Sequence, residues 1–306
     1  MTPCIATSPA SYGVLERTIG EPRLPDGAAL AEAIADGGYA GSELGPPGCF
    51  GEGGEAGKAL AGYGLELVAA SLPLRLARED GFAEDVGELA AALGRLTDAA
   101  DGGALPLVLL ADAACEPERI RLAGAIERHR EAWPGERRRR LLIDNAHRAA
   151  EQCRERGFAV SFHPRAGSYV ETPREVYALL ESMDTNLFGL CFDVAHSAFG
   201  GGDPLALVRD AREVVNHVHF TDVDLELLER LRDQGAGFEQ AVAAGVFCEL
   251  GSGGAQLDDC LAQLTGAGYD GWIVVEQERE LAPGEDFDRL LEAAERNRAW
   301  LRARGL

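Results

Sequence analysis

Short apolar runs alternate along the chain with longer stretches in which apolar residues recur every three or four positions. The short runs are PCIATS (3–8), YAGSEL (39–44), GLELVAAS (64–71), LPLVLLAD (105–112), FAVSFHP (158–164), GLCFD (189–193), NHVHFT (216–221) and WIVVE (272–276), each predicting a strand. Between them the pattern turns helical. Asp26 caps an alanine- and leucine-rich helix that stops at Gly37 and Gly38. Val86, Leu89, Ala90, Leu93 and Leu96 mark one face of a helix over 82–100, and a helical stretch reaching Trp133 is followed by another over 136–156. Thr172, Pro173 and Glu175 form a cap, a first-turn proline and a capping-box acid. Eight strand-to-helix units in one chain predict a closed parallel (β/α)8 barrel, the TIM-barrel architecture, as a single domain over 1–306 with a C-terminal helix at about 287–304. An open doubly wound sheet is the alternative, but no GxGxxG follows the first strand. The glycine clusters at 200–203 and 251–254 read as loop flexibility, not phosphate cradles.

A barrel of this kind gathers its chemistry at the C-terminal ends of the strands. Glu43, His163, Asp193, His219 and Glu276 end the second, fifth, sixth, seventh and eighth strands. The chain has only six histidines, and three of them, His196, His217 and His219, crowd with Asp193 into fewer than thirty residues. Carboxylates and a histidine offered from successive strands make a mixed oxygen and nitrogen site for Mn²⁺, Mg²⁺, Co²⁺, Fe²⁺ or Zn²⁺. A fourth ligand comes from His163 or from Glu171 in the loop beyond it. His217 shares a face with His219 and lies deeper, as a core or supporting histidine. Asp222 either orients His219 or caps a helix, while Trp272 and Phe199 read as core packing.

The bulk properties narrow the partners. A formal charge of −22 repels polyanions, and the basic run Arg137 to Arg140 is set among acids, so nucleic acid is excluded as a partner. No apolar run approaches the roughly 20 residues that cross a bilayer, and the N-terminus reads as lacking a secretory signal, which implies a cytoplasmic protein with no membrane partner. Seven scattered cysteines without a CxxC pair read as reduced thiols. An acidic barrel with a long C-terminal helix could pair through exposed faces as a homo-oligomer.

At these same residues the sequence resembles the sugar phosphate isomerase and epimerase superfamily with its xylose isomerase-like barrel, and within it the inosose dehydratase-like branch. The matching stretches are IATSPASYGV, GYAGSELGPPG, FHPRAGSYVETPREV, GLCFDVAHSAFGGGDP, NHVHFTDVD, GVFCELGSG and GYDGWIVVEQE. The resemblance implies a divalent metal, with Mn²⁺ placed first, held by Asp193, His219, Glu276 and an acid from the fifth-strand region. Many relatives carry that acid where this chain has His163, so Glu171 is its substitute. His196 of the DxxH pair is implied to contact substrate, and Glu43, His163, Arg165 and Thr221 are further candidates for substrate contact. Two departures bear on the substrate: Thr221 stands where the branch usually has lysine, and Arg165 and Ser168 alter the HPHxGT pattern.

The implied chemistry is proton abstraction next to the carbonyl of a sugar or cyclitol through a metal-stabilised enediolate, with Glu276 and Glu171 as candidate bases. Returning the proton isomerises or epimerises, and losing a β-hydroxyl dehydrates. An isomerase or epimerase is placed first and an inosose-type dehydratase second. A non-catalytic sugar-binding barrel comes third, and a metal-dependent endonuclease is opposed by the acidic charge.

Overall fold

A computed structural model describes residues 3–113 and 116–306, so Cys115 falls outside the described residues. In chain order the strands are β1 (Cys4–Thr7), β2 (Gly41–Ser42), β3 (Glu66–Leu67), β4 (Ala69–Leu74), β5 (Leu107–Asp112), β6 (Val160–Phe162), β7 (Gly189–Asp193), β8 (Val215–Phe220), β9 (Asp222–Val223), β10 (Phe247–Cys248) and β11 (Trp272–Val275). Nine of them form one sheet in the order β3-β2-β1-β11-β8-β7-β6-β5-β4, with every pairing parallel. The two ends of that order, β3 and β4, are separated in the chain by Val68 alone. Val68 donates its N–H to Ser42 on one side and accepts from Leu107 on the other, so β3 and β4 are halves of one rail and the sheet closes. Eight rails result, as the eight apolar runs predict.

The period-two alternation of strands sorts the side chains. Leu190 and Phe192 of β7 face outward into the main core against the helices, whereas Cys191 faces into the barrel with Ala6, Val68, Ala69, Leu109 and Val274. One step further along the same inward face comes Asp193. An apolar plug therefore lies beneath a polar layer.

Local signals fix the helices as expected. The Asp26 carboxylate accepts from Ala29 N at 3.0 Å to start Gly27–Asp36, and Thr172 and Glu175 form a reciprocal capping box at Pro173–Leu180. The stretch toward Trp133 differs: it is a short helix, Pro117–Arg121, followed by two 3-10 turns. Gly124 at φ +84 breaks it, and a Cβ there would meet the Phe199 ring at 2.8 Å. A small antiparallel ribbon of β9 and β10, with helices Leu225–Asp233 and Phe238–Ala243 between its strands, is an addition that the eight runs do not show. The C-terminal helix, Asp288–Arg302, braces the end of β11: buried Asn297 donates to Gln277 Oε1 (3.0 Å) and accepts from Leu250 N (2.8 Å). Among the described residues no helix is long and apolar enough to cross a membrane.

Candidate metal centre at the strand ends

Parallel register carries the polar layer to one level. Asp193 of β7 is the register partner of His219 of β8, which in turn pairs with Val274 of β11, two residues before Glu276. His219 sits at the centre. Its Nδ1 lies 2.6 Å from Glu276 Oε2 and 3.1 Å from Asp193 Oδ2, and its Nε2 lies 2.9 Å from Glu43 Oε1. His163 Nε2 lies 3.0 Å from the same Asp193 oxygen. Asp193, His219 and Glu276 thus bring three donor atoms within 4.8 Å of one another, and His163, Asp193 and His196 form a second such trio.

A cation fits this set on its donor chemistry. Two carboxylate oxygens and an imidazole nitrogen converge where almost no backbone donor reaches them, and the nearest partners are other ligand-type side chains. Asp193, His219, His163 and His196 are all buried, while the Glu276 side chain keeps 16% of its surface exposed and faces the open side. Glu276 Oε1 is anchored by the Ser8 hydroxyl at 3.0 Å.

The titration behaviour follows from that crowding. Burial works against the charge of His219, yet neighbouring Cys191, Glu276, Glu43 and Asp193 outweigh it and hold its pKa well above the ordinary imidazole value. Burial likewise opposes the Glu43 carboxylate, but the His219 and His217 rings keep its pKa below the usual range. Burial drives His196 the other way, to about 3, so its ring is neutral at pH 7. The Ala166 N–H donates to His196 Nδ1 at 3.2 Å, which leaves the ring proton on Nε2, and Phe238 stacks on the ring at 5.1 Å.

Some residues singled out from sequence stand elsewhere. The Glu171 carboxylate is outside every donor group among the described residues: its Oε1 accepts from Gly124 N (2.7 Å) and its Oε2 from Gly167 N (2.5 Å). Glu43 turns inward beneath His219 and also meets His217 Nε2 at 2.8 Å, which places His217 one layer deeper. The Thr221 hydroxyl donates to the carbonyl of Glu276 and ties β8 to β11. Asp222 neither orients His219 nor caps a helix. Its oxygens accept from the backbone of Val223, Gly251, Gly253 and Ala255, so the GSGG turn is shaped by a carboxylate and is not slack. Phe199 packs on Phe238 and Phe247, and Trp272 packs against the barrel plug.

Two residues escaped the sequence reading. Cys191, two before Asp193, can join His163 and His219 within ligand range, although burial pushes its thiol up to about 12. Glu278, two after Glu276, is pushed up to about 8 by burial and by the Glu276 charge, against the pull of Arg165. Cys191 carries a legible signal, the inward parity it shares with Asp193 on β7, whereas Glu278 lies beyond the end of β11, where alternation no longer reads.

This fold coincides with that of a known family. The model for the xylose isomerase-like TIM barrel matches residues 31–304, and the chain belongs to that family. Among curated relatives, the rhizopine catabolism protein MocC of Rhizobium meliloti is 39% identical over 253 residues, covering 79% of this chain and 72% of that one. The inosose dehydratase of Geobacillus kaustophilus (strain HTA426) is 36% identical over 146 residues, 48% of this chain and 47% of the relative. The chain thus spans about half the length of the inosose dehydratases it matches. A solved structure of the IOLI protein with a bound zinc atom superposes with a TM-score of 0.70 over 98% of both chains at 13% identity, a likeness of fold.

Proposed function

We propose that the protein is a divalent-metal-dependent dehydratase acting on a keto-cyclitol of the inosose type. The observation that carries this reading is the meeting of Asp193 Oδ2, His219 Nδ1 and Glu276 Oε2 at the open end of the barrel. The curated inosose dehydratases favour dehydration over the isomerase or epimerase that the sequence places first. The convergence of Asp193, His219 and Glu276 weighs against a barrel that only binds sugar.

Asp193, His219 and Glu276 would hold the metal, with His163 as the fourth ligand in place of Glu171, since His163 alone of the two reaches Asp193. When bound, such an ion polarises a substrate carbonyl and acidifies the neighbouring C–H bond. Glu276 is the proton acceptor: of the carboxylates at the centre it is the most exposed, and Ser8 fixes the direction of its outer oxygen. His196 offers its Nε2–H to a substrate oxygen, and neutral stacking on Phe238 keeps that donor in place. Arg165, half-buried on the same side, has no ion-pair partner within 4.0 Å among the described residues and is available to substrate hydroxyls. The deeper Glu43 holds the far nitrogen of His219 and so presents Nδ1 to the ion.

Incubation with Mn²⁺ and a panel of inososes and ketoses in deuterated water tests this. Loss of water with growth of enone absorbance is the expected result. A product of unchanged formula carrying solvent deuterium would establish an isomerase or epimerase instead, and Asp193→Ala and His219→Ala variants with normal metal content and activity would refute the metal-enzyme reading altogether.

A further inference from the structure

Glu171 is a buried carboxyl group that the donor set leaves out. Only 3% of its surface is exposed, and it lines a cavity of about 190 Å³ whose wall also includes Asp193 and His196. Much of the rest is apolar, formed by Pro164, Pro173, Val176 and Leu207. A water molecule takes about 30 Å³ in the liquid, so the space suits a few waters or a leaving group beside the reacting centre. It does not suit hydroxide, because an anion moved against apolar walls loses its solvation.

We propose that Glu171 is the acid that protonates the departing hydroxyl group of the substrate, and that the cavity beside it receives the water formed. This rests on the dehydratase reading above. In the step the α C–H bond breaks and its proton passes to the base, the electron pair becomes the new C=C bond, and the β C–O bond breaks. The departing oxygen takes the proton of the Glu171 carboxyl, which gives an enone and one water; the base then releases its proton to solvent and the Glu171 carboxylate takes one up, so both groups are reset.

The surroundings suit the task. Each Glu171 oxygen accepts one amide, from Gly124 or Gly167, and keeps a second lone-pair direction for a proton. Burial pushes the carboxyl up to about 7, against the pull of those two amides and of Arg119, while the Glu175 charge adds to the rise. Asp193, His196 and Asp203 face it across the cavity. A group half protonated near neutrality is suited to give up a proton in a transition state and recover it afterwards.

Arg119 positions this acid. Its Nη2 donates to Glu175 Oε2 at 2.6 Å and its Nε to Ser168 O at 2.8 Å, and the same Glu175 oxygen accepts the N–H groups of Glu171 (3.1 Å) and Thr172 (3.0 Å).

Wild type and Glu171→Gln, each loaded with Mn²⁺, are compared with an inosose in deuterated water for metal content, deuterium in recovered substrate and enone formed. The expected result is unchanged metal, retained deuterium exchange and elimination lowered about 100-fold or more, with partial recovery in Glu171→Asp. The assignment is overturned if exchange and elimination fall together, if elimination persists, or if the metal is lost with the glutamate. Wild-type protein that neither exchanges nor eliminates would sink the dehydratase reading itself. The acid is then judged by carbon-13 NMR of labelled glutamates: the signal missing from Glu171→Gln should titrate near pH 7, and titration in the ordinary carboxylate range overturns it.

Discussion

Asp193 and Asp222 are buried to a similar depth, 6% and 2% exposed, and lie on neighbouring parts of the same rim, yet their oxygens are satisfied in opposite ways. Asp222 takes four backbone amides, from Val223, Gly251, Gly253 and Ala255. Asp193 takes one, from His196, and gives its other oxygen to His163 and His219. Backbone amides cannot leave without unmaking a loop, so a carboxylate held by them is committed to structure. Imidazoles can turn a nitrogen to a cation instead, so a carboxylate facing them remains available as a ligand. The strongest break of this contrast is Asp193→Ala or His219→Ala, which should abolish stoichiometric metal binding and cut turnover by about 1000-fold or more, as loss of several kcal/mol of metal assistance requires. Metal analysis and turnover of the purified variants check it.

Asp222→Ala should do the reverse. Four amides lose a charged acceptor together, and a stability loss of roughly 3 kcal/mol is expected with metal content unchanged. Denaturant unfolding followed beside metal analysis separates the two effects, and a variant that unfolds normally but loses metal would invert the comparison. Gly253→Ala reaches the same contact from the other side. A Cβ there would lie 2.4 Å from Asp222 Oδ1 and 2.5 Å from Val223 O, so the substitution should cost roughly 1–3 kcal/mol, also without loss of metal.

Glu43 tests a finer distinction, because it serves the centre without belonging to its donor trio. Its Oε1 holds the Nε2 atoms of both His217 and His219. Glu43→Gln should leave the ligands in place and lower metal affinity by about 10- to 100-fold, measured by competition with a chelating dye. Unchanged affinity would return Glu43 to the substrate role its position in the sequence suggested.

Much of this was legible in the chain. Strand parity and the count of eight gave the barrel, because short runs covered by helices leave few alternatives, and strand-end position found Asp193, His219 and Glu276. The split between β3 and β4 was not legible, since it reflects which neighbour each half of one rail bonds. The β9 and β10 ribbon was missed because two-residue strands have no periodicity to read. The partners of Glu171 and Asp222 were not legible for one physical reason: a carboxylate's type and place show that it will be satisfied, not whether a side chain or a backbone amide will do it. Some of their partners, Gly124 and Gly251 among them, are far away in sequence.

Asp112 shows that the contrast lies in the partner and not in the element. It ends β5, as Asp193 ends β7, but its oxygens accept from Ala77 N (3.3 Å) and Tyr169 N (3.0 Å), as a loop carboxylate's would. Burial pushes its pKa up to about 6, against the pull of those amides and of Arg119. The folded pKa exceeds the unfolded value of about 3.9, so between the two the folded chain holds a proton that the unfolded chain has released. Its contribution to stability is therefore complete below about pH 4 and is lost as the pH rises through about 6. Measured against Asp112→Asn, which cannot ionise, wild type should lose stability over that window with a slope of at most about 1.4 kcal/mol per pH unit. Chemical denaturation of both proteins at half-unit intervals would show it. A difference that stayed flat, or that grew in favour of wild type with rising pH, would mean that Asp112 is ionised throughout and that its amides outweigh its burial.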